Sequence, residues 1–193
     1  MTKLIEQSID KIESWLAKKG FALLKSKLST IQDEVDFDRK VVFLSLRSKP
    51  EYQLYSLLHE CGHVIIRTRK DYRLRYAASA EREENPSKNE TNRSIVEQIE
   101  EEILAWREGQ ALANKLDIYV NDGKYYKYGY RWVMSYVVLA AVGKEHYLPS
   151  SFTEKIEEDT EKQVTEIDMC KVLDNVHPVC YNGVISKPEQ QDQ

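Results

Sequence analysis

The segment His59-Glu60-Cys61-Gly62-His63 limits the folds open to this chain more than any other part of the sequence. On a helix, two histidines four residues apart project from one face and can bind one metal ion. Apolar residues flank the segment, and polar side chains buried among them cost free energy unless something satisfies them. Zinc takes imidazole nitrogen and carboxylate oxygen readily, so the segment predicts a helical zinc site with His59 and His63 as ligands.

Glu60 lies one step further round this helix than His59. A carboxylate there can reach a water molecule at the ion without binding the ion itself, so Glu60 is the predicted general base. The alternative is a pair of hydrogen-bonded core histidines, because His-x-x-x-His also occurs by chance on helices. The intervening glutamate, the small Gly62 and the apolar flanks favour the metal site.

Composition and charge are those of a globular protein. The 193 residues are 41% hydrophobic and 31% charged, which suits one domain over 1–168 and an irregular C-terminal tail over 169–193. The net charge of −4 argues against a nucleic-acid partner. No apolar run reaches the roughly 18 residues of a membrane helix, and acidic residues interrupt the start of the chain where a signal peptide would lie. Sparse cysteines without an export signal then predict a cytoplasmic protein; they are Cys61, Cys170 and Cys180.

The apolar pattern predicts an α+β fold, mostly helical, with a small antiparallel sheet packed beside the metal-binding helix. An amphipathic stripe predicts a helix over 3–19, which Gly20 ends. Residues 28–36 and 40–46 are typical of a β-hairpin, since alternating and buried-strand patterns flank a polar turn.

The helix that carries the histidine pair is predicted to run from a capping box of Ser48 and Glu51 to about Arg67. Residues 67–94 are polar with little apolar periodicity, and the part over 81–92 has loop composition. Such a loop near the site is either a lid or binding loop or a disordered segment. A basic cluster in this stretch is either a solvated surface or a contact for an acidic partner; it comprises Arg67, Arg69, Lys70, Arg73 and Arg75.

A second long helix is predicted over 94–116, beginning with a capping box of Ser94 and Glu97. Glu102 falls on its buried stripe, where an ionised carboxylate must be paired or must bind a metal. Glu102 is therefore the predicted third ligand, and its alternative is a buried salt bridge to an arginine. Glu101 is placed off the stripe on a more polar face, and it competes for the ligand role if the helix phase is wrong.

A tyrosine-rich segment over 119–136 leads into a largely buried helix predicted over 127–142 and ended by Gly143. Such aromatics either line a peptide-binding cleft or pack in the core. A further helix is predicted over 151–163. Spacing does not choose an oxyanion-stabilising residue, or decide whether His146 is a third ligand; the oxyanion candidates are Tyr128, Tyr130, Arg131 and His146.

With these residues in place, the chain resembles the zincin metallopeptidases of the glutamate-ligand, or gluzincin, arrangement. Glu102-Ile103-Leu104-Ala105 after the His-Glu-x-x-His helix is similar to the Glu-x-x-Ala pattern of ImmA/IrrE-type peptidases. The resemblance covers about residues 28–116, and it implies zinc held by His59, His63 and Glu102, with Glu60 as general base. It also implies a protein substrate, often a transcriptional repressor. The chain departs from that family in lacking an N-terminal helix-turn-helix and in its tyrosine-rich C-terminal third.

Two functions follow from the sequence. The first is a zinc-dependent peptidase that hydrolyses a protein or peptide in the cytoplasm. The second is a non-catalytic binding or inhibitor protein, with zinc as a structural staple and the tyrosine-rich segment as its partner surface. A closed site with four protein ligands would favour the second.

Overall fold

The computed structural model describes residues 2–85 and 91–142, and these confirm the α+β class, mostly helical with one small sheet. In chain order the elements are α1 (Thr2–Lys18), β1 (Ala22–Ser26), β2 (Glu34–Asp36), β3 (Val41–Ser45), α2 (Pro50–Arg67), α3 (Tyr72–Arg75), α4 (Ala77–Glu84), α5 (Asn92–Lys115) and α6 (Asp122–Val142). The predicted domain boundary stays a prediction. It lies outside the described residues together with Gly143, His146, Cys170, Cys180, the helix over 151–163 and the tail over 169–193.

Helix α1 confirms the helix predicted at the start of the chain. Ile12 and Leu16 are fully buried, so the amphipathic stripe faces the core. Gly20 follows the helix with φ of +81°, a left-handed conformation that glycine adopts without the steric cost of a Cβ. The chain then turns directly into β1.

The sheet has the order β1-β3-β2 and is mixed, not antiparallel. The predicted hairpin is confirmed as β2 paired antiparallel with β3, although its first strand begins at Glu34 rather than at 28. Strand β1 was missed. It pairs parallel with β3, with Ala22 opposite Val41, and its alternation of exposed and half-buried residues is irregular. Parallel strands are joined by a long connection and not by a tight turn, so no turn motif in the sequence indicates that β1 pairs with β3.

Helix α2 confirms the metal-motif helix, but its predicted capping box is wrong. Lys49 is the N-cap residue and makes no side-chain capping bond, while Pro50 occupies the first turn, where its missing N–H is not needed. Glu51 instead accepts a hydrogen bond from the Tyr55 hydroxyl at 3.0 Å. The helix is buried along most of its length, as its apolar flanks predicted.

The loop predicted over 81–92 is partly wrong, because α4 continues to Glu84 and α5 begins at Asn92; residues 86–90 lie outside the described part. The polar stretch before it contains α3 and the start of α4. Carboxylates pair with four members of the basic cluster, which favours the surface interpretation over an acidic partner. These pairs are Arg67 with Glu83 and Glu101, Arg69 with Glu108, Arg73 with Glu84, and Arg75 with Glu100.

Helix α5 begins two residues earlier than predicted. Thr91 is the N-cap and forms the capping box with Ser94, so the predicted box of Ser94 and Glu97 is wrong. Glu97 instead accepts the backbone N–H groups of Ala78 and Ser79 at 2.8 and 2.9 Å, at the start of α4. These bonds fasten α4 against α5.

Helix α6 confirms the helix predicted over 127–142 and begins earlier, at Asp122. Within the described ranges, no helix combines the length and the apolar content that crossing a bilayer requires.

Candidate metal centre

Two histidines of α2 form the base of the candidate site. His59 and His63 lie one helical turn apart, with ring centroids 4.6 Å from each other and Nε2 atoms at 3.2 Å. Each residue is less than a tenth exposed. Two imidazole nitrogens facing each other at this distance need a proton or a cation between them, because two lone pairs repel.

Helix α5 supplies the third side chain. Glu102 Oε2 lies 3.2 Å from His59 Nε2, and Glu102 Oε1 lies 3.7 Å from His63 Nε2. Among the described residues, these three side chains form a cluster whose ligand atoms all lie within 4.8 Å of one another. The structure therefore brings together the three predicted ligands. Glu102 pairs with histidines, so the predicted alternative of a salt bridge to arginine does not describe it.

The crossing of α2 over α5 is close because glycine lies at the contact. A Cβ built on Gly62 would stand 2.0 Å from the carbonyl oxygen of Ala105, and one on Gly109 would stand 2.4 Å from that of Leu58. Real side chains essentially never approach backbone this closely, so only glycine permits the two helices to lie together here. The same contact brings Glu102 within reach of the histidines.

The donor set fits a small divalent cation. Zinc bonds to nitrogen and oxygen of about 2.0–2.2 Å in a tetrahedral site place neighbouring donors about 3.3 Å apart. The two histidine nitrogens lie 3.2 Å apart, and each lies 3.2 or 3.7 Å from an oxygen of Glu102, although the two oxygens differ. With one donor atom from each residue, all separations are within 4.8 Å, so the group can hold a metal ion.

The electrostatics of the cluster also favour a cation. Burial lowers the pKa of His63, but hydrogen bonds to Glu101 and Glu102 and the charge of Glu102 outweigh it and raise that pKa to about 10. Burial raises the pKa of Glu102, yet the hydrogen bonds and charges of both histidines hold it well below its usual range. Without a metal, a proton on His63 therefore helps to balance the carboxylates, and a metal would replace it.

Glu60 lies beside the cluster and is not one of its members. It is 8% exposed, and burial raises the pKa of its carboxyl group although the two histidines act in the opposite direction. A carboxylate with a raised proton affinity next to a metal site is suited to accept a proton. This placement agrees with the predicted division between ligands and base.

Glu101 corrects the prediction that it lies on a polar face away from the site. It is 2% exposed, and its Oε1 lies 3.0 Å from His63 Nδ1, the ring nitrogen on the side away from the cluster. Arg67 Nε donates to the same oxygen at 2.6 Å. The buried salt bridge to an arginine, which was the predicted alternative for Glu102, is therefore made by Glu101. Burial raises its pKa, but His63 and Arg67 hold it below the usual value.

The sequence did not single out two further residues at the site. Trp106 stacks on His59 with ring centroids 4.3 Å apart and an interplanar angle of 19°. Tyr136 of α6 lies near Glu102 and Glu60, and burial together with the charges of these two carboxylates raises the pKa of its phenol well above the usual value. No spacing signal in the sequence links Trp106 or Tyr136 to the histidines.

Of the predicted oxyanion candidates, Tyr128 lies on α6. The hydroxyl of Tyr128 lies 3.3 Å from that of Ser56, and its ring stacks on Tyr52 at 4.9 Å. Tyr130 and Arg131 also lie on α6, and His146 is outside the described residues. Tyr125 lies in the core and Tyr126 and Tyr128 pack against it, in agreement with the core alternative, whereas Tyr119 and Trp132 are 80% and 53% exposed.

Cys61 lies within the motif yet is fully buried, and burial raises the pKa of its thiol well above the usual value, so it is a small apolar core residue. The ligand atoms of His59, His63 and Glu102 converge, with Glu60 beside them. No protein-family model, curated protein or solved structure matches the chain, so the chemistry of this cluster is the basis for inferring its function.

Proposed function

We propose that this chain is a zinc-dependent metallopeptidase that hydrolyses a peptide bond in a cytoplasmic protein. The observation that supports the proposal is the convergence of His59, His63 and Glu102 with a buried carboxylate, Glu60, beside them. Two histidines and one carboxylate are the ligands of known catalytic zinc sites in peptidases. The resemblance to ImmA/IrrE-type peptidases suggests a regulatory protein, such as a repressor, as the substrate.

Three protein ligands leave a fourth position in a tetrahedral site. The cluster has three members among the described residues, which favours a catalytic site over the structural staple. A zinc ion bound there would polarise the scissile carbonyl and make a water molecule more acidic.

Glu60 provides the proton transfers. As a carboxylate it accepts a proton from the attacking water, and as a carboxylic acid it delivers that proton to the nitrogen of the leaving amine. Burial raises its pKa and so brings it closer to neutral, where one group can perform both transfers. A single buried glutamate next to the ligands is sufficient for this cycle.

Tyr136 provides a hydrogen-bond donor. Its raised pKa keeps the phenol protonated at neutral pH, and the residue lies near Glu102 at the edge of the cluster. From there the O–H can donate to the carbonyl oxygen of the substrate as negative charge develops.

The proposal predicts that peptide hydrolysis depends on the metal. The purified chain should bind one zinc ion, and it should cleave members of a proteome-derived peptide library, with new N-termini identified by mass spectrometry. Chelation should abolish cleavage and added zinc should restore it, because the proposed chemistry requires the ion. A chain that binds zinc, unfolds on its removal and cleaves nothing would instead favour the structural staple.

Tyr136→Phe should lower kcat for a cleaved peptide about a hundredfold and change KM less, because one oxyanion donor is lost. The control is Tyr128→Phe on the same helix, which keeps the stack on Tyr52 and removes only the hydroxyl near Ser56. This control should keep kcat within about twofold, as expected of a substitution outside the site. Equal rates for wild type and Tyr136→Phe would exclude Tyr136 from the reaction.

A further inference from the structure

We propose that Glu101 is the positioning residue of the metal centre: it orients His63 so that Nε2 faces the ion. The inference depends on the proposed metal site and adds a residue that touches neither the ion nor the substrate. It starts from the two sides of the His63 ring. Nε2 lies 3.2 Å from His59 Nε2, inside the cluster, while Nδ1 lies 3.0 Å from Glu101 Oε1. A carboxylate accepts only, so Nδ1 carries a proton that Glu101 accepts, and a metal ion would take the place of the proton on Nε2.

The carboxylate of Glu101 is itself held at both oxygens. Arg67 Nε donates to Oε1 at 2.6 Å, and the hydroxyl of Tyr72 donates to Oε2 at 3.0 Å. Arg67 is fixed in turn by two hydrogen bonds to Glu83, at 2.9 and 2.7 Å. Because Glu101 is only 2% exposed, its carboxylate has little freedom to turn away from the His63 ring.

The two histidines are supported in different ways. His59 stacks on Trp106, and its Nδ1 is buried without a hydrogen-bond partner in the described part of the chain. Among the described residues His63 has no such stack, and its outer ring nitrogen is held by Glu101. A carboxylate on the outer nitrogen also makes a histidine a stronger ligand, and losing such a partner typically weakens metal binding about 10- to 100-fold.

The test measures zinc affinity, with zinc alone as the probe, by competition with a chromogenic chelator. Glu101→Gln keeps an acceptor for Nδ1–H but loses the charge, and it should weaken zinc binding about tenfold. Glu101→Ala loses both and should weaken it about a hundredfold. The control is Glu108→Gln, a glutamate of the same helix that pairs with Arg69 at 2.5 Å and should bind zinc like wild type.

Unfolding by urea, measured without metal, separates positioning from general stability. If Glu101→Gln lowers the urea midpoint but binds zinc as tightly as wild type, Glu101 is only a structural ion pair and the inference is wrong. Graded loss of affinity, with the control unchanged, would support it. If the wild-type protein binds no zinc, the proposed metal site itself is wrong. If the wild type and Glu101→Gln bind zinc equally well, the metal site stands and only the role of Glu101 is wrong.

Discussion

Glu60→Gln should reduce peptide hydrolysis about a thousandfold, within the range that a general base contributes, while the protein stays folded and binds zinc. Glutamine matches the shape of glutamate but cannot accept the proton. Glu60 lies outside the ligand cluster, so the zinc affinity of the variant should stay within about tenfold of wild type. Tenfold is about the smallest loss that typically follows when a residue supporting a metal ligand is removed. The measurement compares initial rates on one cleaved peptide at saturating zinc, with Glu108→Gln as the control for a charge change on a surface pair.

The stability of this variant gives an independent check. The pKa of Glu60 is higher in the folded protein than in the unfolded chain, so ionising it above the ordinary value of 4.5 costs folding free energy. At neutral pH, without metal, Glu60→Gln should therefore be at least as stable to urea as wild type. A variant that hydrolyses the peptide at the wild-type rate would rule out Glu60 as the base, and a biological effect that survives the substitution would favour a binding protein.

Gly62→Ala should destabilise the protein by about 2–3 kcal/mol, as overpacked core positions do. The new Cβ would meet the carbonyl oxygen, carbonyl carbon and Cα of Ala105 at 2.0, 2.7 and 2.8 Å, and backbone atoms cannot move aside without separating α2 from α5. The better helix propensity of alanine offsets only about 1 kcal/mol. Because separation also moves Glu102 from the histidines, the zinc affinity should fall with the free energy of unfolding.

The matched control is Gly123→Ala in the first turn of α6. Its added Cβ would meet only the side-chain oxygen of Asn121 at 3.6 Å, an ordinary contact. Urea unfolding of both variants, followed by zinc titration, measures the two effects separately. If Gly62→Ala had the stability and zinc affinity of wild type, then α2 and α5 could move apart at this contact without loss, and the prediction would be wrong.

The failed predictions have a common cause, which is visible on α5. Its sequence offers two glutamates in a row, and apolar spacing placed only Glu102 on the buried face. In the structure α3 and α4 cover a second face of the helix, so Glu101 is as buried as the core. The sequence did not predict those two short helices, because their composition is polar and lacks an apolar period. Glu97 shows the same effect, since it caps α4 instead of its own helix.

The sequence alone determined the features that depend on neighbours along the chain. Histidines four residues apart on a helix share a face whatever the helix packs against, and Gly20 ends α1 because only its own φ is involved. The hairpin of β2 and β3 is local in the same way. Tertiary structure decided the rest. The contact of Gly62 with Ala105 sets how near α5 comes, the cover of α3 and α4 buries Glu101, and the packing of α6 brings Tyr136 to Glu102. These contacts join segments far apart in sequence, so the periodicity of any single helix does not encode them.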